Sequence, residues 1–190
     1  VDFCRKIEER GMNFTWQLPS GTRTEAIDGE VASLLYRSGC RNISYSPESG
    51  SPTVLRRIKK KIHRDSVIRS ISDATKNGMN IKCNMIFGFP GETFKEVCES
   101  YGFIVRMALA GAFDVSIWAF SPYPGSELFA GILGKGGLKM DDEYYNSLRS
   151  YADSSSTISY SEHFSDGQLK RLRIFGIILF YLVCWTRRPY

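Results

Sequence analysis

The alternation of apolar and polar positions gives a repeating unit: a short apolar strand, a loop rich in turn residues, then an amphipathic helix. Strand starts are expected near positions 13, 43, 81 and 115. That interval of roughly 30 to 40 residues suits right-handed βαβ units in a parallel sheet. Asn13–Leu18, with Phe14 and Trp16, reads as the first strand, and Pro19-Ser20-Gly21-Thr22 as its carboxyl-end loop. Ile43–Pro47, Ile81–Phe87 and Val115–Phe120 read as the next three. Ile81–Phe87 is mostly apolar and holds no turn signal, as expected of a parallel strand covered on both faces.

Helices are expected over Val1–Arg10, stopped by Gly11, and over Asp28–Arg37, closed by Gly39. Another starts at Ser51-Pro52, the serine as cap and the proline at the first helical position. Asp65–Lys76 and Phe94–Ala110 follow, the latter opened by a capping box of Thr93 and Glu96. The fold class is therefore α/β, and a parallel barrel or a doubly wound sheet both fit. Each loop with unusual chemistry follows a strand, so all lie on one face, the functional face of a parallel barrel.

After Gly125 the periodicity weakens. Gly131–Gly137 reads as a glycine-rich turn region, Asp141–Tyr151 as a helix, Ser154-Ser155-Ser156 as a loop, and a final helix starts at Asp166. Ile174–Trp185 is almost wholly apolar and is flanked by Arg171, Arg173, Arg187 and Arg188. Crossing a bilayer takes about twenty such residues. The stretch therefore reads as a helix docked on protein, or as an interfacial helix whose arginines reach lipid phosphates.

With 190 residues, 43% of them hydrophobic, the chain is one globular domain or a large piece of one. A net charge of +5 permits an anionic partner without demanding nucleic acid. Cys4, Cys40, Cys83, Cys98 and Cys184 are scattered, with no CxxC pair, so neither a zinc site nor a disulfide framework is signalled. Scattered thiols point to a reducing, cytoplasmic compartment. Neither a secretory signal nor an initiator methionine opens the chain, so an internal or carboxyl-terminal piece of a longer protein is expected.

Candidate chemistry gathers at the strand ends. Gly88, Pro90 and Gly91 form a rigid turn running into a helix amino terminus, where backbone can approach a ligand without a Cβ between. Glu48-Ser49-Gly50-Ser51 puts a carboxylate and hydroxyls at the end of the second strand, although a solvated loop glutamate and a capping serine explain it as well. Arg23 carries a fork suited to a carboxylate or phosphate. Trp16, Gln17 and Phe120 are expected toward the strand ends, as ring contacts or as core. Arg56–Arg64 is a dense basic run with no interleaved aromatic. It reads as a solvated helix face with Ile58 and Ile62 turned inward, or as an RNA-facing patch.

Together Arg23, Glu48-Ser49-Gly50-Ser51, Gly88-Phe89-Pro90-Gly91-Glu92-Thr93 and Phe120-Ser121-Pro122-Tyr123-Pro124-Gly125-Ser126 resemble the radical S-adenosylmethionine (SAM) enzymes. The closer likeness is to the branch with an amino-terminal cobalamin-binding domain. The resemblance implies that residues 1–130 are the later part of a partial parallel (β/α)6 TIM-like barrel, and 131–190 a helical extension. The tail with Tyr160-Ser161-Glu162-His163 is similar to that branch too. It also implies SAM and a [4Fe-4S] cluster as cofactors, with cobalamin as a further one in that branch, and a reaction that cleaves SAM to a 5′-deoxyadenosyl radical for cobalamin-linked methyl transfer or oxidative rearrangement of a small hydrophobic substrate. The family's CxxxCxxC triad is absent from this stretch, so the cluster ligands are expected outside it. By the same implication Glu48 and Ser49 contact the ribose hydroxyls or the methionyl amine, Gly50 beside them belongs to the cofactor-binding set, and Arg23 pairs with the carboxylate. Ile86 with Gly88, Pro90 and Gly91 lies against adenine, and Phe120 with Pro122 forms another wall. The partners implied are a small-molecule substrate, an external electron donor and a peripheral membrane contact through 174–185, with no nucleic acid favoured. Two alternatives stay open: a tRNA-modifying methylthiotransferase of the same superfamily, and a non-catalytic half-barrel interaction module.

Overall fold

The computed structural model describes residues 1–134, 136–151, 153 and 157–187. The serine run at 154–156 and Arg188 lie outside the described residues. Four strands, β1 (Trp16–Thr22), β2 (Cys40–Glu48), β3 (Asn80–Phe87) and β4 (Asp114–Ala119), form one sheet in the order of the chain. All three pairings are parallel. The helices are α1 (Asp2–Glu9), α2 (Gly29–Arg37), α3 (Pro52–Arg57), α4 (Arg64–Lys76), α5 (Phe94–Ala110), α6 (Glu127–Gly134), α7 (Asp142–Ser147) and α8 (Asp166–Arg187). The βαβ reading thus holds, including the capping box on α5: Thr93 Oγ1 accepts from Glu96 N while the Glu96 carboxylate accepts from Thr93 N.

One face of the sheet carries the core. Ile43 and Tyr45 of β2, Ile81, Cys83, Met85 and Phe87 of β3, and Val115 and Ile117 of β4 are buried. They join one apolar cluster with Ala32, Val67, Ile71, Ile104, Met107, Leu169 and Phe180 from α2, α4, α5 and α8. The other face is polar. Asn80 Nδ2 donates to Asn42 Oδ1 (3.2 Å), Asn84 Nδ2 to Ser44 Oγ (2.9 Å), and Lys82 pairs with Asp114 (3.0 Å). β3 is therefore half-exposed on that face and not covered on both, because Lys82 and Asn84 break the apolar run with period two.

Other boundaries moved for local reasons. β1 starts at Trp16 and absorbs Pro19 to Thr22, the expected loop. It pairs on one side only, where a proline costs no ladder hydrogen bond, and its register breaks between Leu18 and Thr22. Gly131 and Gly134 belong to α6 and not to a turn region. Ser51 stands at the amino end of α3, but its hydroxyl makes no capping bond. α8 packs against α5 and β4. It leaves Phe175, Ile178, Leu182 and Trp185 exposed along one side. Among the described residues no helix is long and apolar enough to cross a membrane.

Candidate functional site

The turn after β3 is built around a buried acid. Gly88 and Gly91 take left-handed φ values of 85° and 69°. That conformation aims the amides of Gly88 and Phe89 inward, where Glu92 Oε2 accepts both at 2.6 and 3.3 Å. Glu92 is fully buried, and desolvation pushes its carboxyl up to about 7 against the two hydrogen bonds that favour the charge. A Cβ on Gly88 would meet Leu169 Cδ2 at 2.7 Å, so this glycine also lets α8 close on the turn. The Gly91 amide donates to Glu162 Oε2 at 2.6 Å, which ties the tail segment to the same turn.

β2 ends in a second unusual turn. Glu48 has a positive φ of 67°, which costs a residue with a Cβ about 1–2 kcal/mol. Its carboxylate is half-buried and pairs with Lys60 at 3.2 Å; burial raises its pKa and Lys60 opposes the rise. Across the ladder Glu48 faces Met85, next to Ile86. The two residues that follow point elsewhere. Ser49 is fully buried, shares a hydrogen bond with Ser100 (3.2 Å) and accepts from Ser51 N (3.1 Å). Gly50 donates its amide to Ser100 Oγ, and a Cβ there would lie 2.6 Å from Phe103 Cβ. Ser49 and Gly50 thus fasten the loop to α5.

The basic run is not one continuous helix face. α3 stops at Arg57, and Lys59 has a left-handed φ of 56°. The cations then diverge to hold the strand-end loops together. Arg57 reaches Glu96 (3.0 Å) and Pro90 O (3.3 Å), Lys59 reaches Glu127 (2.6 Å), and Arg64 reaches Gly50 O (3.0 Å). Lys60, the partner of Glu48, lines a groove of about 350 Å³ together with Arg23, Ser46 and Lys61. Arg23 and Glu48 are thereby linked through one basic groove. Sequence spacing carried no signal for Lys60, because its partner lies in another loop.

An apolar wall stands beside this groove. Phe120 is buried against Phe89 (ring centroids 5.3 Å apart), and both cluster with Val54, Ile86, Leu128 and Ile132. The Phe120 amide donates to Phe87 O at 2.8 Å, and Pro122 O accepts from Tyr144 Oη at 2.6 Å. Arg23, Glu48, Ile86, the Gly88–Gly91 turn, Phe120 and Pro122 therefore gather at the carboxyl edge of the sheet. Trp16 and Gln17 do not. They open β1 at the opposite edge, where Trp16 Nε1 donates to Ser38 O and its ring packs on Phe3. The edge offers a flat apolar wall, a half-buried carboxylate and a cationic groove in series, which suits a zwitterionic ligand bearing a ring. The cysteines do not fit as iron ligands: they are spread over α1, β2, β3, α5 and α8, and no metal-holding group occurs among the described residues. No cluster chemistry is assigned to them.

Known proteins resemble this chain in sequence and in fold. The radical SAM superfamily profile matches residues 2–104. An uncharacterised methyltransferase of Pyrococcus horikoshii is 27% identical over 184 residues, 96% of this chain and 37% of its own length. Cytidylyl-2-hydroxyethylphosphonate methyltransferase of Streptomyces wedmorensis is 30% identical over 151 residues, 76% of this chain and 27% of its own length. The chain thus spans well under half the length of either relative. In fold it is similar to the radical SAM methyltransferase TsrM of Kitasatospora setae, solved with cobalamin and a [4Fe-4S] cluster (TM-score 0.56, 17% identity, 74% of this chain and 29% of that one). It is also similar to the radical SAM coproporphyrinogen III oxidase of Escherichia coli (TM-score 0.56, 14% identity, 97% and 36%). Because the profile covers more than half of the chain, this protein belongs to the radical SAM superfamily.

Proposed function

We propose that this chain is the SAM-binding part of a radical enzyme that methylates a small hydrophobic substrate with cobalamin as methyl carrier. The observation that carries the reading is Glu48. A non-glycine residue held left-handed at a strand end, its carboxylate half-buried beside an apolar wall, is strain kept for a ligand. Glu48 is assigned to the ribose hydroxyls or methionyl amine, the groove of Arg23 and Lys60 to the carboxylate, and Ile86 with Phe120 to adenine. Bound there, SAM supplies the radical chemistry of the superfamily. The residues of this chain bind it, orient it and keep water from its ring. Cobalamin-linked methylation is supported by the relatives named methyltransferases and by cobalamin in the TsrM structure.

The methylthiotransferase alternative draws on relatives such as a threonylcarbamoyladenosine tRNA methylthiotransferase of Treponema pallidum, 32% identical over 87 residues. Its sequence signal was the basic run, of which Arg57, Lys60 and Arg64 make half-buried contacts within the protein. The reading also includes an external electron donor and a peripheral membrane contact through 174–185, supported by the exposed apolar side of α8. Arg173 has no part in that contact, since it is buried.

Equilibrium dialysis of the full-length enzyme with SAM tests the site. Glu48→Ala is expected to weaken binding by about 1–3 kcal/mol, or roughly 5- to 150-fold. Glu48→Gly accepts the left-handed turn without strain, so it should unfold no more readily than wild type and still lose binding. Unchanged affinity in both removes Glu48 from the site. Label from methyl-labelled SAM appearing in tRNA and not in a small molecule would favour the alternative.

A further inference from the structure

We propose that Trp118, Tyr151 and Tyr123 form the wall of a second subsite, which takes a planar aromatic or heteroaromatic ring of the substrate beside the SAM position. The subsite rests on the reading above that places SAM over Ile86. Val115, Ile117 and Ala119 of β4 are buried on the helix-covered face, so Ser116 and Trp118 point to the opposite, polar face. Trp118 is the register partner of Ile86. In-register neighbours on adjacent strands stand about 5 Å apart with their side chains on the same face. A ligand seated on Ile86 therefore has Trp118 as its next neighbour along the sheet.

The ring of Trp118 continues into two others. Tyr151 lies 5.4 Å from it at 47°, and Tyr123 lies 6.4 Å from Tyr151 at 72°. Among the described residues, none of the three belongs to either apolar cluster. Trp118 is half-buried, while Tyr151 and Tyr123 are 36% and 49% exposed. Three adjoining rings that serve no core keep faces open for a flat partner, which gains dispersion and quadrupole attraction that a puckered ring does not.

The wall is also built to hold its shape. Arg173 of α8 is only 4% exposed, and its guanidinium donates to Ile117 O (2.9 Å), the residue before Trp118. The same group donates to Tyr151 O (3.2 Å), Asp153 O (3.4 Å) and Thr157 Oγ1 (2.7 Å). One buried cation thus fixes the strand that carries Trp118 against the segment that carries Tyr151. The polar positions lower on this face, Asn84 and Ser116, are register partners and suit heteroatoms at a ring edge.

The test is calorimetric titration of full-length enzyme, loaded with SAM, with indole as planar probe and cyclohexylmethanol as its puckered counterpart. Indole is expected to bind saturably and at least fivefold tighter than cyclohexylmethanol. Trp118→Leu and Tyr151→Leu should each erase that preference while leaving SAM affinity within threefold of wild type. Retained SAM affinity also shows that these variants fold. Indole binding that is absent, or indifferent to both substitutions, overturns the subsite. So does a loss of SAM affinity in Trp118→Leu as large as in Ile86→Asp, because the wall would then serve adenine. Failure of the wild-type enzyme to bind SAM strikes the proposed function; loss of the planar preference alone strikes only the subsite.

Discussion

Glu92 shows how one side chain can tie a turn together and still cost stability. Its carboxyl titrates near 4.5 when solvated and near 7 in the fold, so the native state holds a proton that the unfolded chain has already released. Stability from this group is complete below pH 4.5, falls as the pH rises between those two values, and reaches its lowest level above about 7. The shift bounds the loss at roughly 3 kcal/mol. Glutamine keeps an oxygen for the Gly88 and Phe89 amides and carries no charge. Glu92→Gln is therefore expected to unfold at higher denaturant than wild type at pH 8 and at nearly the same denaturant at pH 4.5. Urea titrations at the two pH values check this, and a gap independent of pH would show that burial of the charge is not the cause. The motif Gly88–Thr93 was legible in the sequence as a turn, because glycine and proline punctuate locally. That its glutamate turns back to bind the amides of that turn was not, since a side chain's direction depends on what packs around it.

At the scale of elements, α8 follows the docked one of its two sequence readings, since it packs on α5 and β4. The interfacial reading had its flanking arginines reaching outward, yet Arg173 turns in. The free edge of β4 needs donors, and a guanidinium supplies several in fixed directions where a helix of apolar residues has none. Periodicity cannot distinguish an arginine that covers a sheet edge from one that meets solvent. Its loss leaves Ile117 O, Tyr151 O and Thr157 Oγ1 without their partner. Arg173→Met is accordingly expected to destabilise the protein by about 2–4 kcal/mol. Arg173→Lys should recover little, because one ammonium cannot span acceptors on two segments. Denaturant midpoints of both variants check this, and a lysine variant as stable as wild type would reduce Arg173 to a single useful contact. The basic run teaches the same lesson in reverse: Arg57, Lys59 and Lys60 pair with acids of α5, α6 and β2, so their density in sequence reported contacts between elements that lie far apart in the chain.

For the molecule as a whole, the order of elements was legible because strands, turns and helices are local, and the parallel topology followed from the length of the crossovers. What the sequence could not show was which face of the sheet the helices cover, and hence that Ser49 and Gly50 serve α5 while Ile86 faces the other way. That asymmetry also ranks the strands by stability. β2 and β3 are paired on both sides, and β3 buries Ile81, Cys83, Met85 and Phe87 completely. β4 pairs on one side but is sealed by α8 through Arg173. β1 pairs on one side, has an irregular register and contains no fully buried residue. Local opening costs least where few apolar contacts and few ladder bonds must be given up. Hydrogen–deuterium exchange is expected to label β1 first, β4 next, and β2 and β3 last. The strand-end residues Glu48 and Ile86 then sit at the margin of the slowest-exchanging strands, on the most rigid support the sheet provides. Arg23, at the end of β1, sits on the loosest, and SAM should slow exchange in β1 more than in β3. Equal slowing across all four strands would mean that the ligand stabilises the fold globally and that Arg23 does not clamp it.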